Sequence, residues 1–434
     1  MIVVYTPRIT NRIKYSFRLI LGNLLGLQYR ITDNRDDFLA AEDYRFTYGR
    51  EEIDGIVHFS AVELLFQKGI SGQSPAIGYH QEVPYLFPVF HSRQILPFDP
   101  FAAAFYMVSR YEEYLPFRKD PYGRFRAEDS LAFQKGFLTK PVVNLWANII
   151  AEKLQGYWPA IEFVKPVYRY VPTIDVDQAY SYLHKGMLRT LGGYVSSIVK
   201  RDFSGLKNRT NVLLRRKPDP FYTFESILDI HRKYNLSPIF FILFGSYGSY
   251  DKNIPVYNQS FVRLINQLAD EATVGIHPSY ASNADFNILK KEVRQLSDVL
   301  HTPVTLSRQH FLKIDFPQTF RNLMQLDITH DYSLGFAGHY GFRAGISTPF
   351  MFYDLDLEEE STLTLVPLCM MDGTLKDYMG LNEKKILEVA GQIIQSIKDT
   401  GGTFVTLMHN DTFDDSGQWK DWSGLYEKIV QMAL

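Results

Sequence analysis

In Val171-Pro172-Thr173-Ile174-Asp175-Val176-Asp177 a run of strand-forming residues ends in two carboxylates spaced i, i+2. Residues two apart in an extended segment share a face, so Asp175 and Asp177 can converge on one point. Two like charges there repel each other and resist desolvation unless a cation or a reacting water relieves them. The plainer alternative is a strand followed by a helix cap. Against it stands a pattern: later apolar runs end in the same kind of residue, at His277, Arg308, Asp331 and His409.

These residue types suit hydrolysis of an amide or ester. Such a reaction needs a nucleophilic water, which a divalent cation provides by lowering the water pKa toward ~7, with a carboxylate as base. It also needs an acid for the leaving amine or alkoxide, and imidazole titrates in the right range. An arginine can fix a carboxylate through a bidentate pair, a role open to Arg308 toward Asp175. The single cysteine, Cys369, excludes a thiolate zinc site and a disulfide framework. Any metal must therefore be held by histidine and carboxylate.

The elements that position these residues follow from periodicity. Strand-like runs cover 168–175, 238–244, 272–277, 303–308, 325–331, 362–368 and 403–409. Amphipathic helices separate several of them. In one, Phe286, Leu289, Val293, Leu296 and Leu300 repeat at three and four; in another, Ile386, Ala390, Ile393 and Ile397 do the same. Seven strands alternating with helices predict an α/β fold, a distorted parallel barrel of (β/α)7 type, with a doubly wound open sheet as the alternative. In either, the strand C-termini form the ligand site.

A chain of 434 residues exceeds what one core usually holds. We expect residues 1–160 to form a smaller N-terminal α/β unit of no evident chemistry, and 161–434 to form the barrel. Within the first unit, Asp99-Pro100 predicts a capped helix running to Tyr114, and a second helix starts near Pro141. Aromatic residues make up 15% of the chain, enough to line a groove as well as a core. A net charge of -2 argues against a dedicated nucleic-acid binder. The first apolar run, Met1 to Pro7, is too short for a signal peptide, and no stretch reaches the roughly 18 apolar residues of a membrane span, so a cytoplasmic protein is expected. One segment departs from the alternation. Residues 199–217 carry Lys200, Arg201, Lys207, Arg209, Arg215, Arg216 and Lys217 against the lone Asp202, either a solvated loop or an attraction of 200–217 toward an anionic glycan, lipid head group or membrane surface.

Taken together, Thr173-Ile174-Asp175-Val176-Asp177, Val274-Gly275-Ile276-His277-Pro278-Ser279-Tyr280, Ser307-Arg308-Gln309-His310, Asp331-Tyr332-Ser333-Leu334-Gly335-Phe336 and Thr406-Leu407-Met408-His409-Asn410-Asp411 resemble, in order and character, the five motifs of the polysaccharide deacetylases, carbohydrate esterase family 4 (NodB-like). The resemblance covers about 165–420 and is nearest to a branch with an extra N-terminal domain. It implies a metal-dependent hydrolase that removes N- or O-linked acetyl groups from a polysaccharide or glycan precursor. Asp175 is similar to its general base, Asp177 to its metal carboxylate, His277 to its first metal histidine, Arg308 to the arginine that orients the base, Asp331 to the acid that tunes the catalytic histidine, and His409 to the general acid. The implied cofactor is a divalent metal, zinc foremost, with cobalt, nickel or manganese as alternatives.

Two departures matter. Val176 separates the two aspartates, so their roles could be exchanged. The family's second metal histidine, four residues after the first, is replaced by Ala281. Either His310 or Asp175 supplies the third ligand, or the metal is weak or absent; His310 is otherwise a substrate contact or a core histidine. Substrate-lining candidates are Tyr247 and Asp251 in 245–251, Tyr280, and Tyr332, or these segments are simply turns. The rival readings are an inactive carbohydrate-binding protein on the same scaffold and a hydrolase of another carbon–nitrogen bond.

Overall fold

The computed structural model describes residues 1–90 and 94–434. Near the N-terminus, four short strands, β1 (Ile2–Tyr5), β2 (Tyr29–Thr32), β3 (Tyr44–Gly49) and β4 (Val57–Ser60), form a parallel sheet in the order β2-β1-β3-β4. A hairpin, β5 (Ile77–His80) and β6 (Val83–Leu86), follows. The helix Pro100–Val108 is buried at every position. Asp99 caps it, accepting from the Phe101 and Ala102 amides at 3.1 and 2.9 Å, while its second oxygen takes the Tyr48 hydroxyl at 2.8 Å and the Val62 amide at 2.9 Å. The helix stops at Val108 instead of reaching Tyr114. Arg110 turns left-handed (φ 53°), and its guanidinium donates to Glu113 at 2.8 Å and to the Arg343 carbonyl. The second predicted helix spans Val142–Tyr157 and buries Trp146.

A strand forms within each of the seven expected segments, β7 (Arg169–Val176), β8 (Ile239–Leu243), β9 (Thr273–His277), β10 (Leu306–Ser307), β11 (His330–Leu334), β13 (Glu359–Pro367) and β15 (Thr403–His409), joined by β12 (Phe350–Asp354) and β14 (Met370–Met371), but β10 keeps only two residues of 303–308, and β11 starts at His330 and runs beyond Asp331 instead of ending there. They make one curled sheet in the order β12-β13-β11-β10-β9-β8-β7-β15-β14, parallel except for the β12–β13 pair. The edge strands β12 and β14 do not pair with each other, so the ring stays open.

Alternation along the strands divides the core in two. Phe240 and Ile242 pack in the main core with helix residues such as Leu264, Leu296 and Ile393. Ile239 and Phe241 point the other way, into a second cluster with Tyr332, Val366, Val405 and Leu407 inside the curl. The main core runs without a break from Ile2 to Ala433, so the N-terminal sheet and the curled sheet share one apolar interior.

The basic segment 199–217 is not simply a loop: it takes in the end of helix Met187–Val199 and the whole of helix Phe203–Leu213, the next two helices in the chain after β7, with turns at 200–202 and 214–217.

Candidate metal centre and cleft

Strand register determines which strand-end residues meet. Asp175 is cross-strand neighbour to His409 on one side and to Phe241 on the other, and Leu243, two residues beyond Phe241, is neighbour to His277. Neighbours across a sheet share a face, so Asp175, His277 and His409 all point with Phe241 into the curl, and Asp177 follows by period two. Gly275 lets β9 approach this closely. A Cβ there would lie 2.7 Å from the Phe241 ring and 2.9 Å from the Leu306 carbonyl.

The same parity removes Asp331 from the site. It pairs with Ser307, which pairs with Ile276 of the main core, so Asp331 faces away from Asp175. It accepts from the Ser307 and Ser333 hydroxyls at 2.6 and 2.9 Å and from the Ser333 amide at 2.9 Å. The carboxylate that holds His409 is instead Asp372. Its Oδ1 accepts from His409 Nδ1 at 2.7 Å, and its Oδ2 accepts from the His409 amide at 2.7 Å. Asp372 follows the two-residue strand β14, parallel to β15. A carboxylate after Met370-Met371 was the available signal, but two residues are too few to read as a strand.

Asp177, His277 and His310 each present one ligand atom to a common space, all within 4.8 Å of one another. Asp177 Oδ1 lies 3.3 Å from His277 Nε2, and its Oδ2 lies 3.4 Å from His310 Nε2. Both rings are tied from behind. His277 Nδ1 donates to the Arg308 carbonyl at 2.5 Å, and His310 Nδ1 donates to Asp251 at 2.9 Å. With Nδ1 engaged from behind, each Nε2 faces Asp177, the orientation in which the neutral ring offers its lone pair to a cation. Asp177 Oδ1 is buried yet has no hydrogen-bond partner, an unmet acceptor that a cation would satisfy. The donor set, two imidazoles and a carboxylate, fits zinc with an open position for water. Ala281 lies exposed in the turn after β9, and the third donor atom of the cluster is Nε2 of His310, in the short turn His310–Leu312 that follows β10.

Asp175 is buried, 3.6 Å from His277 Nε2, and accepts from Arg308 Nη1 at 2.8 Å. The pair uses one guanidinium nitrogen, not two. Arg308 Nη1 also donates to Thr173 Oγ1 at 2.6 Å and Nε donates to the Tyr332 carbonyl at 3.1 Å, with the guanidinium over the Phe241 ring at 4.5 Å. This clamp fixes Asp175 against rotation.

The charges are strongly coupled. Burial would raise the pKa of Asp177, but the charge of His310 and the nearby His277 imidazole overcome it and hold the carboxyl well below the usual range. Burial opposes the charged form of His310, yet Asp177 and Asp251 lift it to about 9. For His409 burial again acts downward, and Asp372, then Asp177 and Asp175, raise it well above the ordinary histidine value. His409 Nε2 is 3.9 Å from Asp177 Oδ2, and the side chain is partly exposed.

A cleft of about 160 Å³ opens onto these groups, lined also by Gln309, Phe311, Leu312, Met371, Tyr378 and, from the N-terminal region, Arg124. Arg124 Nε donates to Asp120 at 2.7 Å and Nη1 to the Phe311 carbonyl at 3.0 Å. Gln309 is buried, and its Nε2 has no partner. The four residues expected along the substrate groove sit elsewhere. Asp251 lies behind His310 and takes the Tyr280 amide at 2.8 Å. Tyr332 packs inside the curl against Phe241. Tyr247 is capped by Arg189 at 4.0 Å, and Tyr280 belongs to a cluster with Tyr250 and Phe311.

Residues 2–159 match the model of a family of unknown function, DUF7033. No curated protein matches the chain. Among solved structures, it is similar to a Mycobacterium smegmatis protein assigned as a polysaccharide deacetylase, with 14% identity over 61% of this chain and 83% of that one, TM-score 0.41. It is also similar to the polysaccharide deacetylase Bc1974 from Bacillus cereus, with 11% identity over 61% and 87% of the chains, TM-score 0.29. A CE4 family pseudoenzyme from Bacillus anthracis, BA3943, matches with 10% identity over 62% and 66%, TM-score 0.28.

Proposed function

We propose that the chain is a metal-dependent hydrolase that removes acetyl groups from a glycan, with Asp177, His277 and His310 as the protein ligands. The observation that carries this reading is the convergence of two oriented Nε2 atoms on a carboxylate oxygen with no partner of its own. Asp177, His277 and His310 would hold a divalent cation, which would supply Lewis acidity for the hydrolysis. Asp175 then has the base's position: it is buried, clamped by Arg308, and next to His277. It takes the proton from the attacking water. His409, held by Asp372 through Nδ1, aims Nε2 into the same space and delivers a proton to the departing amine or alkoxide. Gln309 lines the cleft with an unpaired amide N–H group and hydrogen-bonds the substrate's acyl oxygen or its neighbouring sugar. The acetylated-glycan class follows the motif resemblance, and Phe311 and Tyr378 give the cleft aromatic walls against which a sugar ring can pack.

Two assays on one preparation test the reading: zinc and cobalt titration, and acetate release from acetylated sugar oligomers. We expect one equivalent of metal and metal-dependent release. Metal binding without release from any acetylated glycan would redirect the reading to another carbon–nitrogen substrate, and neither binding nor release would leave a binding cleft only.

A further inference from the structure

The two helices after β7 carry a feature opposite to that of a soluble surface. Helix Met187–Val199 has no buried residue. Its apolar side chains, Met187, Leu188, Leu191, Val195, Ile198 and Val199, repeat at helical spacing and are each 59–87% exposed; Phe203, at the start of the next helix, is 73% exposed. The helix packs on its neighbour through its polar face instead. Tyr194 shares a hydrogen bond with Thr210 at 3.0 Å, and the Arg209 guanidinium sits over the Tyr194 ring and against Gly193. A surface helix normally does the reverse, burying its apolar stripe and exposing the polar one.

Charge identifies what covers that stripe. Between 185 and 217 there are nine lysines and arginines and one acid, Asp202, in a chain whose net charge is -2. Lys200, Arg201, Lys207, Arg215, Arg216 and Lys217 are exposed. A second copy of the chain docking about a two-fold axis would bring this cationic flank against itself, which is electrostatically unfavourable. An anionic bilayer surface satisfies both halves: head groups for the cations, and the head-group–acyl boundary for the apolar face. The length agrees. Thirteen residues span about 20 Å, short of the ~30 Å hydrocarbon core, so the helix lies in the interface and does not cross it.

We infer that residues 187–217 form a membrane-docking hairpin for anionic lipid surfaces. It rises from the end of β7 that carries Asp177, and Arg189 ties it to the loop after β8 by donating to the Asn253 and Lys252 carbonyls at 3.1 and 2.9 Å. Docking therefore holds the metal-site end of the sheet at the lipid surface. This inference stands apart from the hydrolase reading, since it is measured without turnover.

The test uses the full chain and sedimentation with vesicles of phosphatidylcholine alone or mixed with phosphatidylglycerol. The mixed vesicles should carry the protein down, and the neutral ones or high salt should release it. Leu191→Glu with Ile198→Glu alters only exposed positions and should weaken binding roughly ten-fold or more with unchanged thermal melting. Arg215→Glu with Arg216→Glu should act likewise. Failure of the parent to bind the mixed vesicles, or binding indifferent to lipid charge, would overturn the inference. So would a dimer in solution that Leu191→Glu with Ile198→Glu dissolves, which would assign the face to a second copy.

Discussion

At the scale of single residues, each chemical role has its own signature. Asp175→Asn keeps the shape and the Arg308 contact but removes the base, so turnover should fall ~10²-fold or more with metal affinity unchanged. Loss of metal as well would make Asp175 a ligand and exchange its role with Asp177. His409→Ala should depress release of a poor leaving group, such as a sugar amine, far more than hydrolysis of an activated aryl acetate, because only the former needs a proton. Equal losses on the two substrates would assign His409 a structural role. Asp175, Asp177, His277 and His409 were legible because they stand at or beside the C-terminal ends of β7, β9 and β15, strands long enough to show their pattern. Asp372 was not, because β14 has two residues, and Asp331 misled because one position of register decides which face a side chain takes.

At the scale of elements, the turn after His277 is pinned by a neighbouring helix. Glu292, buried on Phe286–Leu300, accepts from the Ser279 amide at 3.0 Å and its hydroxyl at 2.6 Å. Burial is the main cause that lifts its pKa to about 7. A carboxyl with a folded pKa above its unfolded value near 4.5 binds protons more tightly in the folded state, so its contribution to stability falls as pH rises from about 4.5 to 7. Between pH 5 and pH 8 the loss should be on the order of 3 kcal/mol. Urea unfolding of the parent and of Glu292→Gln isolates it: the difference between the two pH values should shrink in the variant. An identical difference in both would refute the assignment. The helices around Glu292 were readable from their three-and-four spacing. The hairpin at 187–217 was not, because its basic residues dominate the segment and its apolar stripe faces outward, where periodicity alone does not distinguish a docking face from a core face.

At the scale of the whole molecule, the N-terminal region is bolted to the curled sheet by buried ions. Glu113 receives Arg110 at 2.8 Å and Arg343 at 2.9 and 2.5 Å, and all three are nearly inaccessible. Removing one member leaves an uncompensated buried charge, so Glu113→Ala should cost about 3–5 kcal/mol in chemical unfolding. A loss under 1 kcal/mol would show that the network is dispensable. Limited proteolysis between 155 and 170 should not release two stable pieces, given the continuous core and Arg124 in the cleft wall. Nothing in the sequence of 1–160 signalled that it reaches the site, since Arg124 lies far along the chain from every strand-end motif. The most direct test of the account is zinc titration of the full chain beside His310→Ala and Asp251→Asn. The parent should bind one equivalent, His310→Ala should lose it, and Asp251→Asn, which unties His310 without removing it, should weaken it by roughly 10–100-fold. Unchanged zinc affinity in His310→Ala would contradict the metal centre described here.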